Sequence, residues 1–352
     1  MRESLRIAGA YIGVVVGAGF ASGQEVLQFF TSFGWYGFLG IFIAMVLFMF
    51  LGAQILQIGA QLQLTSHQHF FTHVYGKRVG RVVDYVILFC LFGVTTVMVA
   101  GSGALFEQQF GINPSWGSLI FTIMVAITVC LKIRDVILVI SSVTPFLIVL
   151  VIMLTVYSFF DANLNSSQLA QALEGYRPIV SNWSFAALLY VTFNIALAVA
   201  ILAIIGGTAK NIRVAWWGGL LGGAGLGFLL LFIHVSIFLN IDQLQGVAMP
   251  TVFLATKLSP FIGFFMALTL LAMVFNTAVG AVYAFTSRFF EAETGSFYML
   301  ALFISSLAFL ISLFGFTELM TTIYPITGII GLLLILALFI GYIQRHLVKH
   351  HR

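Results

Sequence analysis

The chain has 352 residues, 61% of them apolar and only 7% charged, with 15 basic and 11 acidic side chains. A soluble domain carries about 25% charged residues, and a mean hydropathy of +1.11 agrees that no water-facing globule of this size can be built here. The composition is that of an all-α polytopic membrane protein, so the lipid bilayer is its solvent and the pI near 9.1 reflects topology rather than nucleic-acid binding.

With about 20 residues needed per crossing, the apolar runs predict ten transmembrane helices, over 5–31, 36–62, 82–108, 114–132, 135–160, 183–206, 214–239, 260–288, 296–314 and 317–344. The first begins after Arg2 and Arg6 and runs to Phe30, too long for the core of a cleavable signal. Within it stand Gly13, Gly17, Gly19 and Gly23, followed by Gln24, Glu25 and Gln28. Glycine costs about 1 kcal/mol against alanine in a helix interior, and a carboxylate at membrane depth is costly too. Close packing through small-xxx-small spacing accounts for the glycines but not for the three polar side chains. The segment 17–23 therefore reads as an unwound, site-forming break.

The remaining spans carry fewer marks. His67, His69 and His73, beside Lys77 and Arg78, read as a solvated basic loop rather than a metal site. Thr95 and Thr96 sit at the centre of the third span, where they can line a cavity or bond their own backbone. Cys90 and Cys130 lie in separate apolar runs and read as small buried residues, not a disulfide. The sixth span has Thr192-Phe193-Asn194 halfway across, a weaker sign of a second discontinuity near 193–197. Span seven is glycine-rich, a tight packing surface, and its His234 reads as a hydrogen-bonded helix residue. Asn276-Thr277 interrupts span eight, and Tyr324-Pro325 predicts a kink in span ten.

Thirteen of the 15 basic residues fall on one side of this arrangement when the N-terminus is cytoplasmic; only Arg177 and Lys257 fall outside. The positive-inside rule then puts both termini in the cytoplasm. Five spans per half make residues 1–160 and 183–345 oppositely oriented repeats within one transmembrane domain, a recurring transporter plan. No GxxxxGK[ST], HExxH or GxSxG pattern occurs, so ATP-driven transport and two hydrolase chemistries lack their signatures and no enzyme is expected.

The run Gly13-Val-Val-Val-Gly17-Ala-Gly-Phe-Ala-Ser-Gly-Gln-Glu25, with Val97–Glu107, Tyr190-Val-Thr-Phe-Asn194 and Tyr324-Pro325, resembles the bacterial YkvI-type membrane proteins. These are grouped with the amino-acid permeases of the amino acid–polyamine–organocation superfamily, and the likeness runs along the whole chain. The resemblance implies a LeuT-like fold with a 5+5 inverted repeat, discontinuous helices 1 and 6, and secondary transport across the bacterial plasma membrane. Gly17-Ala18-Gly19-Phe20 is also similar to the superfamily's Gly-Ser-Gly-Ile/Phe break, with alanine in place of serine.

A helix broken at mid-membrane exposes N–H groups for an anion and C=O groups for a cation. On that reading the N–H groups of Ala18, Gly19, Phe20 and Ala21, with the Ser22 hydroxyl, form a cradle for a substrate carboxylate, and Gly17, Thr95, Phe193 and Asn194 complete the substrate site. Glu25, roughly 6 Å outward at about 1.5 Å per residue, is expected at the outer edge of the site, where it can meet a substrate ammonium, relay a proton or act as a gate. The superfamily pattern implies a Na⁺ site from the carbonyls of Gly13 and Val16 with the side chains of Asn276 and Thr277; H⁺ carried by Glu25 is the competing coupling ion. No other cofactor is expected. Two functions fit: an ion-coupled transporter of amino acids or similar zwitterions, and an amino-acid sensor subunit resembling spore-germinant receptor components, which would work with partner proteins.

Overall fold

The computed structural model describes residues 2–63, 67–130, 144–161, 166–291 and 294–349. Among them all regular structure is helical: α1 (Arg2–Val15), α2 (Ala18–Ser22), α3 (Gln24–Phe29), α4 (Tyr36–Leu62), α5 (His67–Phe110), α6 (Pro114–Val129), α7 (Thr144–Asp161), α8 (Ser166–Glu174), α9 (Trp183–Gly207), α10 (Ile212–Phe238), α11 (Pro250–Leu258), α12 (Pro260–Thr286), α13 (Gly295–Ser312) and α14 (Phe316–Lys349). Asparagines set several starts. Asn113 accepts from the Ser115 N–H at 3.0 Å with Pro114 as the first helical residue, Asn182 from Ser184 and Phe185 at 2.9 and 3.1 Å, and Asn211 from Val214 at 2.9 Å. Such a cap satisfies orphan donors and is worth about 1 kcal/mol.

Among the described residues six helices are long and apolar enough to cross a membrane: Tyr36–Leu62, Tyr85–Phe110, Ile212–Phe238, Pro260–Thr286, Gly295–Ser312 and Phe316–Leu333; Trp183–Val199 with Ile201–Gly207, bent by 58°, makes a seventh if the pair is taken as one span. The expected ten exceeds this for physical reasons. The first span is divided into three pieces, and α6 has only 16 residues. Part of the fifth span, 135–143, lies outside the described residues, as do Lys132, Arg134 and Arg352.

Two sequence expectations are corrected. The stretch 67–81 is not a loop but the start of α5, a helix of 44 residues. Residues 193–197 are helical, and the bend of α9 comes later, between Val199 and Ile201. The chain between α10 and α12, for which the sequence carries no expectation, holds a 3₁₀ turn, Ile241–Gln243, and α11.

The core places α4 between α9 and α10. The glycines of α10 make this possible: a Cβ at Gly219 or Gly223 would overlap the backbone of Ala53 or Met49 on α4, the close approach that small residues permit between membrane helices. Outward-facing Phe42, Phe159, Phe261 and Phe303 remain exposed, an apolar surface that suits lipid. Polar contacts mark the two ends of the bundle: Lys210 pairs with Glu3 at 3.7 Å, and Lys257 with Asp161 at 2.7 Å.

Candidate functional site

The site grows from the interrupted first span. α1 stops at Val15, Val16 and Gly17 are non-helical, and the chain resumes as the five-residue α2. Gly23 then takes φ +80°, a left-handed turn that favours glycine, before α3 begins. The break is therefore narrower than the expected 17–23: two residues, then a turn and a half of helix, then a second bend.

The expected carboxylate cradle loses two of its members. The Ala21 N–H donates to Gly17 O at 3.0 Å, and its own carbonyl accepts from Thr251 Oγ1 at 2.7 Å. The Ser22 hydroxyl, wholly buried, donates to Gly19 O at 3.0 Å and accepts from the Gln24 N–H at 3.3 Å. What remains at the break is the backbone of Gly17, Ala18, Gly19 and Phe20. Gly17 is the N-cap of α2 with no side-chain cap bond.

Glu25 lies elsewhere than expected. The turn at Gly23 carries its side chain back toward the break, so that a Cβ on Gly19 would overlap Glu25 Oε1. The residue is 4% exposed, inside the bundle rather than in an outer vestibule. The hydroxyls of Tyr190 on α9 and Tyr324 on α14 lie beside its carboxyl group. Glu25 Oε2 and Tyr190 Oη nevertheless have no partner in hydrogen-bond geometry, and Gln24 Oε1 and Gln28 Oε1 are likewise buried without one. At about 100° per residue, positions 24, 25 and 28 share roughly a 100° arc of α3.

Aromatic rings pack around the two tyrosines beside Glu25. Phe193 stacks on Tyr324 at 4.7 Å and 17°, and Tyr190 meets Phe29 at 5.4 Å, Phe193 at 5.4 Å and Phe20 at 6.5 Å. Phe20 and Phe193 were expected here; Tyr190, Tyr324 and Phe29 were not. Asn194 makes a local bond, its Nδ2 donating to Tyr190 O at 3.0 Å. Thr95 donates to Leu91 O at 2.8 Å, the local back-bonding reading of that residue. Thr192 instead ties α9 to α14, donating to Gly328 O at 2.7 Å.

Of the expected cation ligands, Thr277 is the one whose place at the break is defined. A helix that ends at Val15 leaves its last carbonyls, Gly13 among them, without intrahelical partners. Thr277 reaches the break from α12, its Oγ1 3.8 Å from where a Gly17 Cβ would stand, while donating to Met273 O at 3.0 Å. Its lone pairs stay available to a cation. Asn276, the next residue, is half-buried. Oxygen donors of this kind suit a hard cation. No group of three or more His, Cys, Asp or Glu side chains gathers as a metal site among the described residues.

α11 covers the far end of α2, at Gly23. Pro250 Cβ, Thr251 Cγ2 and Ile237 Cδ1 crowd Gly23, and Gln108 of α5 holds the Met249 backbone in two directions, donating to its carbonyl at 2.9 Å and accepting from its N–H at 3.0 Å. On the other flank, His234 Nδ1 lies 2.8 Å from Thr31 Oγ1, fastening α10 to the end of the first span.

A bundle of apolar helices around an interrupted first span with a buried, partly unpaired polar centre defines a polytopic membrane protein, and comparison with known proteins places it among relatives of the same kind. The chain is 30% identical over 339 residues to the uncharacterized membrane protein YkvI of Bacillus subtilis (strain 168), covering 95% of this chain and 94% of that one. It belongs to the YkvI family. A second relative, YyaD of the same organism, is 27% identical over 332 residues, covering 94% of each chain. No family model matches. Among solved structures, MhsT in complex with L-phenylalanine aligns with a TM-score of 0.62 at 18% identity over 93% of this chain and 87% of that one. The Eremococcus coleocola manganese transporter aligns at 0.62, 15%, 95% and 78%, and a Na⁺-coupled sialic acid symporter at 0.59, 12%, 92% and 76%. The fold is thus the LeuT-like one.

Proposed function

We propose that the protein is a secondary transporter of small ammonium-bearing solutes, the class to which amino acids belong, in a bacterial plasma membrane. The observation that carries this reading is Glu25: a carboxyl group 4% exposed, with one oxygen unpartnered, set against a helix break with aromatic side chains beside it. A charge at membrane depth is retained where it serves a ligand or a proton path. The neighbours in fold include a protein solved with L-phenylalanine, a manganese transporter and a sialic acid symporter, so the fold supports carriage across a membrane without choosing the cargo.

The proposed architecture is ten spans, the first in pieces, in two inverted five-helix repeats over 1–160 and 183–345 with both termini cytoplasmic. Coupling falls to Na⁺ at Gly13, Val16, Asn276 and Thr277, with H⁺ on Glu25 as the rival. Uptake into proteoliposomes of radiolabelled amino acids and amines, with and without Na⁺ and pH gradients, tests the whole reading. Accumulation driven by either gradient is expected. Asn276→Ala and Thr277→Ala should lower uptake at limiting Na⁺ by tenfold or more if sodium drives it, and leave a pH-driven carrier unchanged. Absence of both accumulation and exchange for every solute rejects transport.

A further inference from the structure

The Glu25 carboxyl stands where a substrate carboxylate would have to sit. Its Oε1 takes the space a side chain on Gly19 would fill, directly over the second residue after the break. A zwitterion bound there would bring a second negative charge against the first in a site of low dielectric, and like charges repel strongly under those conditions. The free polar atoms nearby are those an ammonium wants. Glu25 Oε2 and Tyr190 Oη are buried and unpartnered, with the Tyr324 hydroxyl adjacent, and Gln24 Oε1 and Gln28 Oε1 add unpartnered acceptors to the same arc of α3. Among the basic residues whose burial is described, Arg2, Arg6, Arg177, Lys210, Arg213 and Lys257 are all exposed, away from this buried carboxyl group. Phe20, Phe29 and Phe193 pack against Tyr190, and Phe193 against Tyr324, so aromatic side chains stand beside this carboxyl group and suit an apolar or aromatic ligand.

We infer that the ligand of this site is an amine that lacks a carboxylate, carrying an apolar or aromatic group, and that Glu25 supplies the negative partner that an amino acid would otherwise carry itself. This rests on the reading of Glu25 as the centre of the site, and it narrows the ammonium-bearing class to part of its members.

The test pairs each amine with its parent amino acid: phenethylamine with L-phenylalanine, and isoamylamine with L-leucine. Binding is read on the purified full chain in detergent by thermal unfolding and calorimetry, and uptake is read separately in proteoliposomes. At least one amine is expected to raise the melting temperature and to bind at least tenfold tighter than its amino acid. Glu25→Gln should abolish that shift, and Glu25→Asp should restore part of it. Amino acids binding as tightly as the amines, or no amine binding at all, overturns the inference. Should the Glu25 variants fail to fold, the preference of the unaltered protein within each pair still decides. Uptake of amino acids but not amines sinks the amine assignment and keeps the transporter. Amines that bind yet are never carried under any gradient keep the assignment and sink transport.

Discussion

Gly19 and Glu25 act as one unit, because the space over the glycine is what the carboxyl group occupies. A methyl group there drives Glu25 from its place beside Tyr190 and Tyr324. Gly19→Ala should therefore lower stability in detergent by about 1–3 kcal/mol, the usual cost of overpacking a buried site. In a Glu25→Ala background the same change should cost less, giving a coupling of about 1 kcal/mol or more in a double-mutant cycle; strictly additive melting shifts would mean the two do not touch. The glycines and Glu25 were legible in the sequence because each is expensive in an apolar run. Tyr190 and Tyr324 were not. A tyrosine in such a run passes for apolar bulk, and Pro325 drew the reading of its neighbour toward a kink. Their meeting depends on how α9 and α14 cross α3, which no local pattern encodes.

At the scale of elements, α11 is what the sequence concealed. Nine residues are too few for a helical period to stand out from a loop, yet this helix is fastened to the broken segment through Thr251 and Ala21. Thr251→Val keeps the shape and removes the donor, leaving a buried carbonyl unsatisfied at a cost of about 1–3 kcal/mol. Amide exchange in 18–29 should quicken in that variant while exchange in α4 and α10 stays unchanged; uniform quickening would indicate general destabilisation instead. Gly23→Ala should be at least as damaging, since φ is +80° and Ile237 Cδ1 stands 2.9 Å from the added carbon. The sixth span teaches the opposite lesson. Asn194 was legible, but its bond to Tyr190 O preserves the helix it was expected to interrupt. The bend falls instead in Ala198-Val199-Ala200-Ile201, where no polar residue announces it.

For the whole molecule, the decisive expectation is orientation. Exposed ion pairs contribute little to stability, but these two record which segments share an end: the start of α1 with the turn between α9 and α10 through Glu3 and Lys210, and the end of α7 with α11 through Asp161 and Lys257. The first end gathers Arg2, Arg6, Lys210 and Arg213, the basic side that positive-inside bias assigns to the cytoplasm. Single cysteines at the exposed positions 210 and 243, in a chain freed of Cys90 and Cys130, separate the possibilities. In intact cells a membrane-impermeant maleimide should modify Gln243→Cys, and should reach Lys210→Cys only after permeabilisation. The reversed pattern overturns the orientation. Modification of both in intact cells overturns the alternation of sides across α10, and with it the ten-span arrangement on which the inverted repeat depends.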